Sequence, residues 1–213
     1  MLIRDVLAAS GLAKKAPFHM VDCGREYVSP YCCFISQAEL ELWLGERREP
    51  APGDNLGAEE LGIYLPDVYA SDFYFQEERC NRLSTVAYMR MINDLLDFEI
   101  ERYELAFAAF VLLHEYGHWL HFRRCHKGRL DYVLWLNRYL APVESQRELL
   151  EMIPNDEQVK ERLVLEHIDA YNAMPQELSA NKYALKHVAA LYQKLLKLEK
   201  KRERQQEKTQ PEE

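Results

Sequence analysis

The stretch LLHEYGHWLHF, residues 112–122, decides how this chain folds and what it can do. Two histidines, His114 and His118, stand four positions apart, and Glu115 directly follows the first. In an α-helix, residues four apart lie on the same face, so the two imidazoles can reach one common point. The apolar run LAFAAFVLL, residues 105–113, precedes the motif and predicts that this helix is buried. Two buried imidazoles and a carboxylate need partners, and a metal ion is one such partner.

The spacing of this motif is the one that zinc hydrolases use. His114 and His118 would bind the ion, while Glu115, rotated by roughly 100° around the helix, would take a proton from the attacking water. The motif therefore predicts two zinc ligands and a general base. A buried helix whose histidines only hydrogen-bond to neighbouring residues is the alternative, because so short a motif also occurs by chance.

A catalytic zinc ion needs a third protein ligand, usually His, Asp or Glu. The metzincin pattern HExxHxxGxxH is excluded, because His121 and Arg124 stand where that pattern requires glycine and histidine. Several downstream residues remain candidates for the third ligand: Glu177, Glu166, His167, Asp169 and His187.

Glu177 is the first candidate, because its helix has the right pattern. In PQELSANKYA, residues 175–184, Glu177 and Asn181 share one helix face with two alanines. The alanines would let this helix approach the HEYGH helix closely, and Pro175 favours a helix start. Asn181 could then hydrogen-bond the far nitrogen of a ligand imidazole, as such sites require.

The two segments together resemble the glutamate zincins (gluzincins). HExxH followed by a helix of the pattern ExxA[ND]xxA is closest to the ImmA/IrrE-type metallopeptidases, which pair HExGH with a later E…AN…(F/Y)A helix. The matching segments are residues 110–122 and 175–186. HtpX-type membrane peptidases are also similar, but they have aspartate where Asn181 stands, and they have transmembrane helices. The longest apolar run here is too short to cross a bilayer.

The resemblance implies a zinc metalloendopeptidase. Its Zn²⁺ ligands would be His114, His118 and Glu177, and Glu115 would be the general base. The partner would be a protein or peptide substrate, by family analogy a transcriptional repressor of a mobile element. A zinc-binding regulatory or interaction protein of the same fold, without catalytic activity, is the alternative. A structural helical protein and a zinc hydrolase acting on a non-peptide bond also stay open.

Further residues are candidates for binding and polarising a substrate. His167 and Tyr171 lie near the third-ligand helix and could stabilise an oxyanion. His121, on the HEYGH helix, is expected next to the ligands or at the mouth of the site rather than as a ligand. The segment DVYASDFYF, residues 67–75, is the candidate for an edge strand to which a peptide substrate adds.

The remaining pattern predicts a mostly helical α+β fold, in which a small N-terminal β-region packs on a helical, zincin-like half. We expect one domain over residues 1–199, with a mixed part (1–80), a helical part (81–199) and a charged, disordered tail (200–213). Strands are expected within 26–35 and 61–75. Helices are expected in 1–15, with Gly11 as a possible end, in 84–98, and in 101–128 with a cap at Gly128. Further helices are expected in 129–140 and 143–153 on either side of Pro142, in 155–171 from Asn155, and from Pro175 until the helix frays near Lys200.

Composition narrows the function classes. The formal net charge of −8 makes direct nucleic-acid binding by the whole chain unexpected. The cysteine count is odd and there is no CxxC pair, which predicts free thiols in the cytoplasm. We therefore expect a cytoplasmic protein with no membrane partner.

Overall fold

Helices make up most of the structure, and a short sheet near the N-terminus completes it. The computed structural model describes residues 1–22, 29–36, 38, 39, 42, 60–80, 82–95, 100–125, 128–152 and 157–209. The elements in chain order are α1 (Ile3–Ser10), β1 (Phe18–Val21), β2 (Tyr31–Cys33), β3 (Gly62–Pro66), α2 (Ala70–Cys80), α3 (Arg82–Leu95), α4 (Tyr103–Arg124), α5 (Arg129–Met152), α6 (Glu157–Asn172) and α7 (Pro175–Thr209). The prediction of a mostly helical α+β fold is confirmed.

Helix α4 forms the centre of the core. All its residues from Leu105 to Gly117 are buried, as the apolar run predicts, because a helix that is apolar on all sides must be covered on all sides. Helix α7 packs along it and contributes a buried stripe. The buried residues of that stripe recur at helical spacing and are Ala180, Ala184, Val188, Leu191, Leu195 and Tyr192.

Helix α1 and the residue at which it ends agree with the sequence pattern. Ile3, Val6 and Leu7 are buried, and the helix ends at Gly11, whose φ is 71°. This left-handed conformation costs glycine little, since it has no Cβ atom.

The sheet has the strand order β1-β3-β2 within the described residues. β1 runs parallel to β3, whereas β2 runs antiparallel to it. The predicted strand in the first part of residues 61–75 is confirmed by β3, but its expected position at an edge is wrong, because β3 is the central strand and its Ile63 and Leu65 are buried. In the part of the chain that the structure describes, β2 pairs with β3 alone and is an edge strand of this sheet. The expected strand in 26–35 contains β2, although residues 23–28 lie outside the described residues.

The prediction of a strand in residues 67–75 is also wrong, because α2 begins at Ala70. The close spacing of tyrosines and phenylalanines suggested alternation between two faces of a strand. The buried residues Ala70, Phe73 and Glu77 instead follow helical spacing. Phe73 packs on Phe107 of α4, with the ring centroids 5.3 Å apart. Contact with α4 therefore overrides the local aromatic pattern.

Two helix boundaries in the middle of the chain differ from prediction. Helix α4 ends at Arg124 with Cys125 as its capping residue, so Gly128 is not the cap. Helix α5 runs through Pro142 without a break. Proline removes one backbone hydrogen bond, but Pro142 is exposed, and water can bind the carbonyl group that loses its partner. The expected cap Asn155 lies outside the described residues.

Helix α7 continues to Thr209, whereas the charged sequence predicts fraying from about Lys200. Ion pairs tie this segment to the rest of the molecule: Lys200 Nζ lies 2.9 Å from Glu101 Oε2, and Arg202 Nη1 lies 2.8 Å from Asp5 Oδ2. Each exposed pair stabilises the structure only weakly. Within the described residues, no helix is long and apolar enough to cross a membrane.

Candidate metal centre

The Nε2 atoms of the two HEYGH histidines face each other. His114 and His118 lie one turn apart on α4, and their Nε2 atoms are 3.0 Å apart. His114 is buried and His118 is largely buried. The periodicity of the helix thus brings two imidazole nitrogens to one point, as the spacing predicts.

Helix α7 brings a carboxylate to the same point. The Oε2 atom of Glu177 lies 3.3 Å from Nε2 of His114, and its Oε1 atom lies 3.4 Å from Nε2 of His118. Two atoms bound tetrahedrally to one zinc ion, each at about 2.0–2.1 Å, are about 3.3 Å apart. The separation of the two nitrogen atoms, and that of each nitrogen from its nearest Glu177 oxygen, are therefore close to those found around a tetrahedral ion.

A glycine and an alanine make this approach of α7 to α4 possible. A Cβ atom added to Gly117 would lie 2.6 Å from the Cα atom of Ala180, which is closer than such atoms approach. Gly117 faces α7 between the two histidines in sequence, and Ala180 is fully buried. The spacing of the alanines predicts the close approach, but the contribution of Gly117 becomes visible only in the packed structure.

Asn181 fixes the tautomer of His114. Its Oδ1 atom lies 2.9 Å from Nδ1 of His114, and its Nδ2 group donates to Oδ1 of Asn172 at 3.3 Å. The second bond orients the amide, so Oδ1 accepts a hydrogen bond from the N–H group at Nδ1 of His114. In neutral His114 the Nε2 atom then carries a lone pair rather than a proton.

Hydrogen-bond acceptors therefore converge at this site. Nε2 of neutral His114 faces Oε2 of Glu177, and this buried carboxylate oxygen accepts no hydrogen bond of good geometry. Two converging acceptors repel each other unless a cation lies between them. The donor set of two imidazoles and one carboxylate fits a divalent transition metal such as zinc.

A proton is the other cation that this site can take. Burial lowers the pKa of His118, but the charge of Glu177 and its hydrogen bond outweigh burial and raise this pKa to about 9. Burial raises the pKa of Glu177, but the two histidines outweigh it and hold this pKa well below its usual range. Glu177 therefore stays ionised, and His118 binds a proton when no metal ion competes for its lone pair.

Glu115 lies beside the three converging groups. Its carboxylate, His114 and His118 each have a ligand atom within 4.8 Å of the others'. Cys32 of strand β2 covers Glu115: its Sγ atom is 3.1 Å from the backbone oxygen and 3.5 Å from Oε2. Burial, followed by the charge of Glu115, raises the pKa of the Cys32 thiol well above its usual value.

The site lies at the bottom of a cleft of about 500 Å³. Edge strand β2, helices α2 to α6 and the start of α7 form its walls. The lining residues most relevant to chemistry are Tyr31, Cys32, Glu77, Tyr88, Tyr171 and Gln176, together with the HEYGH residues and Glu177. The edge strand that borders the cleft is thus β2, whereas the sequence points to residues 67–75.

Two tyrosine hydroxyls stand next to the converging groups. Tyr88 Oη lies 3.4 Å from Nε2 of His114, and Tyr171 lines the same cleft as Glu177. Burial, followed by the charge of Glu177, raises the pKa of both hydroxyls well above the usual value, so both stay protonated. The sequence singles out Tyr171 but not Tyr88. Tyr88 stands in an ordinary amphipathic helix, and only its packing on Phe110 brings it to the site.

The other predicted residues lie outside the cleft lining. Nδ1 of His121 lies 2.9 Å from Tyr132 Oη, and its ring stacks on Trp135. His167 lies on α6 and does not line the cleft. The alternative third ligands are placed elsewhere: Glu166 pairs with Arg162 at the surface, Asp169 is exposed, and His187 packs on Tyr183.

Comparison with known proteins adds no relative. No protein-family model, curated protein or solved structure matches this chain. The part of the zincin resemblance that the structure shows is the close group of His114, Glu115 and His118 on one helix.

Proposed function

We propose that this chain is a zinc-dependent metallopeptidase of the glutamate-zincin type. The observation that carries the proposal is the convergence of His114, His118 and Glu177: the two Nε2 atoms are 3.0 Å apart, and each lies 3.3–3.4 Å from one oxygen of the Glu177 carboxylate. A fourth group, Glu115, lies beside them at the bottom of a cleft. Two histidines, one glutamate and an adjacent acid form a set that catalytic zinc sites use.

The chain's own residues divide the work of hydrolysis. A bound zinc ion would supply Lewis acidity, which makes water more acidic and polarises a carbonyl group. Glu115 accepts the proton of the attacking water and delivers it to the leaving amine nitrogen. Tyr88, protonated and 3.4 Å from Nε2 of His114, donates a hydrogen bond to the developing oxyanion. Asn181 holds His114 in the tautomer that leaves Nε2 free to bind.

The position of β2 supports a peptide as the substrate. An extended peptide can add to the free side of an edge strand through backbone hydrogen bonds. Within the described residues β2 pairs only with β3, and Tyr31 and Cys32 of β2 line the cleft. A peptide lying along β2 would therefore pass directly over the site.

The substrate and the cellular location of the activity are proposed from the resemblance to the glutamate zincins. By family analogy, the substrate is a transcriptional repressor, and the site of action is the cytoplasm. Free thiols at Cys32, Cys33 and Cys125 suit a reducing compartment.

The test compares wild-type protein with Glu115→Gln, using an unstructured protein as substrate. Loss of the general base should lower the rate of cleavage about 10²- to 10⁴-fold while zinc binding is retained. Glu104→Gln, the same change in the first turn of α4, should cleave like the wild type. Equal cleavage by wild type and Glu115→Gln would contradict this mechanism. Zinc binding without any cleavage would favour the zinc-binding regulatory protein.

A further inference from the structure

Three aromatic rings form a column across the sheet. His19 of β1 and Tyr31 of β2 are both paired with Tyr64 of the central strand β3. The ring of Tyr64 stacks on that of His19, with the centroids 4.5 Å apart, and on that of Tyr31, with the centroids 4.8 Å apart. The planes of the two tyrosine rings differ by only 2°. The three side chains therefore share one face and one register position of the sheet.

The column lies on the sheet face opposite the core. The residues on either side of Tyr64 in β3 are buried, whereas Tyr64 and Tyr31 are only half-buried. Successive side chains of a strand point to opposite faces. Cys32, which follows Tyr31, accordingly points to the core side, where its Sγ atom lies 3.1 Å from the backbone oxygen of Glu115. Strand β2 thus has the column on one face and the proposed general base on the other.

The column is open at its Tyr31 end. Among the described residues, β2 pairs with β3 alone, and the one aromatic ring that contacts Tyr31 is that of Tyr64. Tyr31 also lines the cleft. The centroid spacings in the column are close to the distance between neighbouring strands of a sheet, about 4.7–4.9 Å. A strand added to β2 would therefore bring a side chain to stacking distance from the second face of the Tyr31 ring.

We propose that Tyr31 selects peptide substrates with an aromatic side chain, which becomes the next ring of the column. This inference rests on the proposed function, and it names the substrate class: peptides with an aromatic residue near the scissile bond. The peptide adds to β2 as a strand, and the side chain directly opposite Tyr31 stacks on its ring. Stacked aromatic rings attract each other more strongly than the burial of their apolar area explains.

The register of β2 places this aromatic residue relative to the cleaved bond. The peptide residue opposite Cys32 lies at the level of Glu115, because Cys32 contacts that residue. The peptide residue opposite Tyr31 is its direct neighbour in the peptide chain. Its side chain points away from the metal centre, because neighbouring side chains alternate between the two faces. We therefore expect the cleaved bond to lie within about two residues of the aromatic residue.

The experiment measures binding without turnover. Zinc-loaded Glu115→Gln protein is titrated with short fluorescent peptides that are identical except for phenylalanine, cyclohexylalanine or alanine at one position, scanned along the peptide. Cyclohexylalanine is similar to phenylalanine in size and apolarity but has no aromatic ring. At one position the phenylalanine peptide should bind about 3- to 10-fold more tightly than the cyclohexylalanine peptide. Equal binding of these two peptides at every position would overturn the inference.

Substitutions test whether the preference for phenylalanine comes from the Tyr31 ring. Adding Tyr31→Phe keeps the ring and should keep the preference, whereas adding Tyr31→Val, which suits a strand, should reduce it to within about twofold. Adding Tyr103→Val, which removes an exposed tyrosine outside the cleft lining, should leave the preference intact. If the column only stabilises the sheet, Tyr31→Val lowers the free energy of unfolding but leaves the preference unchanged. That result would overturn the assignment of Tyr31.

Cleavage by wild-type protein separates the two proposals. If the phenylalanine and cyclohexylalanine peptides are cleaved with equal kcat/KM, the peptidase stands and the aromatic specificity is wrong. If the phenylalanine peptide binds selectively but no peptide is cleaved, the stacking site stands and the peptidase proposal is wrong. Product masses locate the cleaved bond, and a bond far from the selected phenylalanine would overturn the register.

Discussion

The Oδ1 atom of Asn181 lies 2.9 Å from the Nδ1 atom of His114, inside the contact between α4 and α7. This hydrogen bond connects residues from two helices that are distant in sequence. It also decides which nitrogen of His114 faces Glu177. The hydrogen bond therefore couples the packing of the two central helices to the chemistry of the site.

Replacing Asn181 should weaken metal binding while the fold persists. Asn181→Leu removes the acceptor for Nδ1 of His114, so the imidazole loses its fixed tautomer and orientation. We expect zinc affinity to fall by about 10- to 100-fold, measured by competition with a chromophoric chelator. Asn181→Asp keeps an acceptor and serves as the control, which should bind zinc within severalfold of the wild type. Undiminished affinity in Asn181→Leu would show that the bond does not support the site.

Gly117→Ala should destabilise the contact of α4 with α7. The added Cβ atom would meet the Cα atom of Ala180 at 2.6 Å, so one helix must shift. We expect the free energy of unfolding in urea to fall by about 1–3 kcal/mol. Gly128→Ala, whose Cβ atom meets only the side chain of Asp131, should change it far less. Equal effects of the two substitutions would contradict the close helix contact.

The placement of the proposed ligand residues could be predicted because local helix geometry determines it. His114 and His118 share a face by their spacing alone, and so do Glu177 and Asn181. The burial of α4 likewise follows from its apolar run. These features depend on the period of one helix and the polarity of its neighbours, both of which are visible in the sequence.

Zinc binding near pH 7.5 should release about one proton. In the metal-free protein, burial lowers the pKa of His118, but Glu177 outweighs burial and raises it to about 9, so His118 is protonated at this pH. The ion needs its lone pair and displaces the proton. Calorimetric titrations in two buffers of different ionisation enthalpy measure this release. The same binding enthalpy in both buffers would contradict the protonated state of His118.

The stability of the metal-free protein should follow the same titration. The pKa of His118 is higher in the folded state than its usual value of 6.5, so protonation stabilises the fold. This contribution is complete below about pH 6.5 and is lost as the pH rises through about 9. Urea unfolding of chelator-treated protein at pH 6 and pH 9 measures the difference. The stability difference between pH 6 and pH 9 should be smaller in His118→Gln than in the wild type. If this difference is the same in both proteins, groups other than His118 cause it.

Cys32 should react slowly with alkylating reagents. Burial and the adjacent Glu115 raise the pKa of its thiol, and the thiolate is the reactive form. At pH 7 we expect labelling of Cys32 by iodoacetamide to lag behind that of Cys125 by about tenfold or more, read from peptide masses after digestion. Urea-unfolded protein provides the control, in which the two cysteines should react at similar rates. Equal labelling rates of Cys32 and Cys125 in the folded protein would contradict the burial of Cys32 beside Glu115.

The features that escaped prediction depend on contacts between distant segments. Residues 70–80 form a helix because Phe73 packs on α4, although their aromatic spacing suggests a strand. Tyr88 reaches the site only because α3 packs on α4, and β2 borders the cleft only because it pairs with β3. No local pattern encodes these pairings. The walls of the cleft were consequently less predictable than the proposed ligands at its base.

The most direct test of the account is the zinc content of the purified protein. Wild type, Glu177→Ala and Glu166→Ala are reconstituted with zinc, and zinc per chain and affinity are measured together. We expect one tightly bound zinc ion in wild type and in Glu166→Ala, whose exposed carboxylate pairs with Arg162. Glu177→Ala should bind at least about a hundredfold more weakly, because a ligand matters more than the groups that support it. Tight zinc in Glu177→Ala, or none in wild type, would contradict the three-ligand site.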